Sequence, residues 1–170
     1  MLDYKLLPLN EIAQTHFNWV ESCGWHNKTV LEALALIASE VGESFQELLN
    51  KNTSEKFATE LCDITLRVID LCVLLSFDID KIYTDIVISM PVSEFEDFSN
   101  SDLLGLICVH LSKAVNIARK DPNQSDFGIE LVTVIALCKY ICVRNDNNFE
   151  EFLSQKMLLN AKNGTRGRKI

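Results

Sequence analysis

Four carboxylates in this chain are spaced to act together. Glu40 and Glu43 stand three residues apart in Ser39-Glu40-Val41-Gly42-Glu43, and Glu60 and Asp63 repeat the interval in Glu60-Leu61-Cys62-Asp63. Residues at i and i+3 of a helix share a face, so each pair presents two acids in one direction. An antiparallel hairpin of the two segments would bring all four to one small volume. Like charges at this spacing repel by about 0.2–0.5 kcal/mol in water, and by more when desolvated. Glu60 and Asp63 also lie in a strongly apolar stretch with Leu61, Ile64, Leu66, Val68, Ile69 and Leu71. Acids in such a stretch are expected to face a bundle interior, where they need a cation. Oxygen-only donors suit Mg²⁺, with Mn²⁺ as the alternative. Arg67, four residues after Asp63 and three before Asp70, is the competing partner and would neutralise part of the cluster without a metal.

The elements that must hold these acids read as helices almost throughout. The only prolines, Pro8, Pro91 and Pro122, fall at plausible boundaries. A first helix is expected from Asn10, as its cap, to Ser22, ended by Gly24. Thr29-Val30-Leu31-Glu32 is a capping-box pattern opening a second helix. Its apolar seam is expected at Leu31, Leu34, Ala38, Val41, Phe45 and Leu48, the 3-4-3-4-3 spacing of an antiparallel bundle. A third helix spans about 54–75, and Asp78 caps a fourth that stops before Pro91. Residues 92–100 read as a linker. Three more helices follow near 101–120, 125–144 and 148–162.

The second half echoes the first. A shift of 70 residues aligns 31–83 with 101–153 without a gap, matching Leu34 with Leu104, Ile37 with Ile107, Phe57 with Phe127, Glu60 with Glu130, and Cys72 with Cys142. The expectation is an all-α bundle of two tandem pseudo-repeats sharing one core. At the positions of the four acids the second repeat has His110, Lys113, Glu130 and Thr133. Such a set holds a hard divalent cation poorly, so one complete metal site per chain is expected. His110 reads as a packed or hydrogen-bonded histidine, and Lys113 with Glu130 as a salt bridge in the vacated site.

Composition narrows the setting. With 170 residues, 48% apolar and 24% charged, the chain is long and apolar enough for a sizeable core and is not of a disordered class. No uninterrupted apolar run approaches the ~18 residues of a membrane span, and Met1–Asn10 lacks the pattern of a secretory signal. The six cysteines form no CxxC, which favours buried free thiols in a reducing cytoplasm over zinc or disulfide scaffolds. The net charge is −8. Residues 156–170 hold Lys156, Lys162, Arg166, Arg168 and Lys169 and no acid, leaving 11 basic against 24 acidic groups, or −13, in the rest. An acidic body disfavours nucleic acid as a partner. The basic end beside acidic clusters fits a metal and a phosphate better, although Arg168 and Lys169 read simply as a solubilising terminus.

ExxE, a 16-residue spacer (44–59) and ExxD on adjacent helices resemble the MazG-like all-α nucleoside triphosphate pyrophosphatases, which include the dimeric dUTPase and dCTPase branches. The matching residues are Glu40, Glu43, Glu60 and Asp63, within Leu-Ile-Ala-Ser-Glu-Val-Gly-Glu and Glu-Leu-Cys-Asp-Ile-Thr-Leu-Arg-Val-Ile-Asp. Gly24-Trp25 is similar to the family's Gly-aromatic element, and Lys156 with Asn160 to its Lys-x-x-x-Asn element. The likeness covers about 10–85 and, in degenerate form, 101–165. It implies one MazG-like helical domain over 1–170, with a metal-binding repeat (1–90), a degenerate repeat (101–162) and a basic tail (163–170). Two departures stand out. Many relatives carry an arginine three residues after the Asn, where this chain has Asn163, its nearest arginine being Arg166. The Lys-x-x-x-Asn element follows only the second repeat, the first-repeat counterpart of Lys156 being Ile86.

The resemblance implies Mg²⁺-dependent hydrolysis of a nucleoside or deoxynucleoside triphosphate to the monophosphate and pyrophosphate, a house-cleaning role in nucleotide metabolism. Glu40, Glu43, Glu60 and Asp63 would be the metal ligands, with Glu43 the candidate general base. Lys156 and Arg166 would neutralise phosphate charge, and Asn160 would bond a phosphate or the sugar. Trp25 would stack on the base and Asn18 read its edge, whereas Trp19 lies on an apolar stripe with Ile12 and His16. Smaller relatives form dimers or tetramers. Duplication would let a single chain supply both halves of the site, and a further homodimer stays open. A ferritin-like di-metal protein is disfavoured, because none of His16, His26 and His110 follows a glutamate by three. The non-enzymatic alternative is a helical nucleotide-binding, scaffold or regulatory protein whose acids are locked in salt bridges.

Overall fold

A computed structural model describes residues 8–26, 29–90 and 92–163. Among them are seven α-helices and no strand: α1 (Leu9–Ser22), α2 (Val30–Leu49), α3 (Ser54–Leu74), α4 (Ile79–Ser89), α5 (Asn100–Ala118), α6 (Ser125–Arg144) and α7 (Phe149–Asn163). The all-α class expected from the sequence is the class observed.

Local chemistry sets most helix starts. Thr29 Oγ1 accepts from the Glu32 amide at 3.1 Å, and the Glu32 carboxylate accepts from the Thr29 amide at 3.0 Å, closing the expected capping box. Ser99 and Asp102 build the same box before α5. The start of α1 differs from expectation, since Asn10 lies inside the helix. Its side chain instead accepts from the Ile79 amide at 2.9 Å and donates to Asp78 at 2.8 Å, while Asp80 accepts from the Leu9 amide at 2.7 Å. The first turns of α1 and α4 thus satisfy each other's amides.

The two long helices α3 and α6 pack on each other at the centre. α2 flanks α3, α5 flanks α6, and α2 also meets α5. The shorter helices cross over: α4 packs on α6 and α7 on α3, with α1 completing the cover of α3. Leu61, Ile64, Val68, Ile69, Leu131, Val134 and Ile141 are fully buried between these layers, each contributing about 1.5–3 kcal/mol of hydrophobic stabilisation.

The starts of α2, α3 and α4 lie 70 or 71 residues before those of α5, α6 and α7, and their ends 69 to 74 residues before. The α3 and α6 C-termini agree in detail. Ser76 (φ 61°) and Asp146 (φ 59°) are both left-handed. Phe77 N bonds Cys72 O and Asn147 N bonds Cys142 O, each at 3.0 Å. This is the six-to-one bond of a Schellman stop made without glycine.

Several local expectations change. The buried stripe of α2 is Ala33, Leu34, Ile37, Glu40, Val41 and Ser44. Leu31 and Ala38, placed on the seam by spacing, are exposed because the helix is turned to bury Glu40. The expected linker 92–100 contains a 3₁₀ turn (Val92–Phe95) whose Phe95 packs on Phe98 and Tyr140, with ring centroids 5.7 and 5.9 Å apart. Cys62, Cys72, Cys138 and Cys142 are buried, whereas Cys108 is exposed and Cys23 half-buried. Among the described residues one helix, α5, is long and apolar enough to cross a membrane by length and composition alone. Its Leu103, Leu104, Ile107, Leu111 and Ala114 are buried in the bundle, and its other face carries Ser101, Ser112, Lys113 and Asn116.

Candidate functional site

Three helices build one polar pocket. α2 contributes Glu40, only 8% exposed, and one turn later the exposed Glu43. α3 contributes Glu60, Asp63 and, one turn on, Arg67. α7, crossing α3 from the other half of the chain, contributes Lys156 and Asn160. With Ser39 and Leu66 these residues line a cavity of about 410 Å³. One oxygen from each of Glu40, Glu60 and Asp63 can be chosen so that all three lie within 4.8 Å of one another.

Two internal cations reach into the cluster. Arg67 donates from Nε to Glu40 Oε1 at 3.0 Å, with Nη2 at 2.9 Å from the same oxygen. Lys156 Nζ is 2.5 Å from Asp63 Oδ2. Burial raises the pKa of Asp63, the like charge of Glu40 adding to the rise while Lys156 and Arg67 oppose it. Burial likewise pushes Glu60 from 4.5 up to about 7, helped by Asp63, Glu43 and Glu40 and opposed by Lys156. Burial first, and like charge second, favour the protonated form of this carboxyl.

The donor set fits a hard divalent cation. All candidate ligands are oxygens, and each internal ion pair uses one carboxylate oxygen of Glu40 or Asp63 and leaves that acid a second. Three carboxylates so close together are also the arrangement that a cation relieves.

Glu40, Glu43, Glu60, Asp63, Lys156 and Asn160, singled out from the sequence, therefore meet in one pocket. Trp25 and Asn18 do not line it. Trp25 is half-buried edge-on against Trp19, centroids 5.4 Å apart at 88°. Asn18 is exposed and accepts from the Gln14 amide at 2.9 Å, one turn back on the outer face of α1. Neighbouring His26 stacks on Phe17 (4.3 Å) and stands 2.8 Å from Glu21 and 3.5 Å from Asp70. Asp70 is seven residues past Asp63, which puts this aromatic group about 10 Å along α3 from the acids. Arg166 lies outside the described residues. The cross-helix partner of Arg67 was not legible: spacing offered Asp63 and Asp70, and the bond goes to Glu40 on α2. Ser39 and Leu66 were not singled out as lining residues. Their only signal is that each adjoins a pocket residue in sequence or on a helix face.

The equivalent position between α5 and α6 is charge-balanced. His110 Nδ1 lies 2.6 Å from Glu130 Oε2, and Lys113 Nζ 3.9 Å from Glu130 Oε1. Thr133 donates its hydroxyl proton to the Ile129 carbonyl at 2.8 Å.

Compared with protein-family models, curated proteins and solved structures, the chain has no significant match.

Proposed function

We propose that the chain hydrolyses nucleoside or deoxynucleoside triphosphates to the monophosphate and pyrophosphate, with Mg²⁺ or Mn²⁺, in a MazG-like bundle of two tandem pseudo-repeats. The observation that carries this reading is the meeting, in one pocket, of the acids of the α2–α3 hairpin with Lys156 and Asn160 of α7. A triphosphate brings several negative charges to a wall of acids, and Mg²⁺ held by Glu40, Glu60, Asp63 and Glu43 would supply the bridging positive charge and Lewis acidity.

The chain's own residues supply the rest. A water oxygen adds to the α-phosphorus, the bond to the α–β bridging oxygen breaks, and the water's proton passes to a carboxylate. Glu43, exposed at the pocket rim, is the candidate for that proton. Lys156 exchanges Asp63 for phosphate oxygens and neutralises charge that moves onto the leaving pyrophosphate. Asn160, one turn further along α7, donates to a phosphate or the sugar. Arg166 stays a candidate for the same phosphates by resemblance alone. Trp25 and Asn18 stand outside the pocket, so no base preference is assigned to them. Helix starts 70 or 71 residues apart and left-handed turns 70 residues apart support the two-repeat reading. With acids from one repeat and Lys156 from the other, a single chain is sufficient for the site, and a homodimer is not required.

A second reading has its own support. The Arg67–Glu40 and Lys156–Asp63 ion pairs are what a non-catalytic nucleotide-binding or scaffold bundle would use to silence its acids. An assay of canonical, deoxy and modified nucleoside triphosphates with Mg²⁺, Mn²⁺ or EDTA separates the two. The enzyme reading expects metal-dependent pyrophosphate plus monophosphate. It also expects stabilisation by Mg²⁺, about 2.7 kcal/mol at a hundred times the dissociation constant. No turnover with any nucleotide and no Mg²⁺ shift in melting temperature would leave the scaffold reading standing.

A further inference from the structure

Arg67 belongs to none of the roles assigned above, yet it is anchored on the most buried acid of the pocket. Both its Nε and Nη2 address a single oxygen, Glu40 Oε1, from a side chain only 17% exposed. On the opposite wall Lys156 holds Asp63 Oδ2, both side chains being 18% exposed. A two-metal carboxylate site sets its ions about 3.5–4 Å apart and clamps the reacting oxygens between them. A carboxylate that spans the two ions with both of its oxygens has neither left for another cation. Here two of the three clustered carboxylates have one oxygen committed to an internal cation. Charge leads to the same count. Four ionised acids against Arg67 and Lys156 leave a formal charge of two minus, which one divalent ion cancels.

We infer that Arg67 and Lys156 take the place of a second metal, so that the nucleotide-free site holds one divalent cation. This rests on the metal-site reading above and adds to it a stoichiometry and a role for Arg67. The two cations are not equivalent. Lys156 ends a flexible stem on α7 and is free to turn toward phosphate. The planar guanidinium of Arg67 is fixed on Glu40 by two donors, and is the permanent substitute.

The test counts Mn²⁺ bound to the full chain without nucleotide, by equilibrium dialysis and electron spin resonance at about pH 8, and needs no turnover. The wild type is expected to bind one ion. Arg67→Met and Lys156→Met keep most of the apolar stems and remove the charges, and the double variant, left with four acids and no internal cation, is expected to bind two. Each single variant has three minus to cancel and is expected to bind its first ion more tightly than the wild type, and because the two changes lie on different helices this guards against a fold defect peculiar to Arg67. Arg67→Lys in place of Arg67→Met in the double variant restores one charge and should return the count to one. Two ions on the wild type, or one on the double variant, would overturn the inference while leaving the metal reading intact. No Mn²⁺ bound to the wild type would remove the metal reading and this inference together.

Discussion

The α2–α3 and α5–α6 hairpins are built on matching helix bounds and matching turns, and they handle charge in opposite ways. Between α2 and α3 the acids outnumber the cations, and burial pushes up the carboxyls of both Glu60 and Asp63, with like charge from Asp63, Glu43 and Glu40 adding at Glu60 and from Glu40 at Asp63. Between α5 and α6 one acid, Glu130, is flanked by His110 and Lys113, and Thr133 satisfies itself on its own helix. Where the first hairpin has Arg67 the second has Leu137, and the crossing helix brings Ile86 instead of Lys156. One scaffold thus accommodates either a concentrated negative charge or a neutral polar contact. The difference lies in a handful of side chains. A bundle with no use for the charge would be expected to settle on the second arrangement.

Removing the central acid from each hairpin gives the largest contrast. In the proposed reaction Glu60→Ala is expected to lower kcat by about a hundredfold to a thousandfold or more, the scale on which one group contacting transition-state charge acts. Glu130→Ala should leave kcat within about twofold, since nothing near it faces the triphosphate. Pyrophosphate release measured side by side on the two variants decides the matter. Equal loss from both would mean that the hairpins share a function and that the one-site description is wrong.

The sequence carried the class of the fold and most of its boundaries, because amphipathic spacing and caps such as Thr29–Glu32 are local. It also carried the acid set, because i, i+3 spacing within a helix fixes a shared face. It did not carry contacts between distant elements. Asn10 resembled a helix cap and does act at a helix start, but at that of α4, through partners about 70 residues away. Arg67 had two acids at suitable spacing on its own helix and bonds a third on another. The seam of α2 was misjudged by a fraction of a turn, since apolar spacing alone does not reveal that Glu40 belongs to the buried stripe. Trp25 and Asn18 were grouped by proximity in sequence to the helix exit. In space one packs on Trp19 and the other faces outward.

A smaller effect sharpens the comparison through pH. In the folded, metal-free chain Glu60 holds its proton up to about pH 7, against an ordinary value of 4.5. Its folded pKa is the higher one, so between these values the folded state binds more protons than the unfolded state. Stability therefore falls as pH rises through this window. Glu60→Gln should remove that loss. With EDTA present the variant is expected to be more stable than the wild type at about pH 8. The gain is about 1–2 kcal/mol once screening of a half-exposed group is allowed for, and it fades toward pH 4. Denaturant melts at several pH values measure it. A gain independent of pH would place its origin in packing rather than in the acid cluster.

The smallest expected effect lies in the balanced hairpin. Lys113 approaches Glu130 only to 3.9 Å and its side chain is 55% exposed, whereas His110 is at 2.6 Å and mostly covered. A solvent-exposed lysine at that distance gains little Coulomb energy and loses side-chain entropy on pairing. Lys113→Ala should therefore shift unfolding by no more than about 0.5 kcal/mol, and the shift should not grow when salt is lowered. His110 already gives Glu130 a close partner at 2.6 Å, so the distant lysine adds little to the contact. A loss above 1 kcal/mol that deepens at low salt would show that Glu130 needs both partners. The second hairpin would then retain some of the charge stress that distinguishes the first.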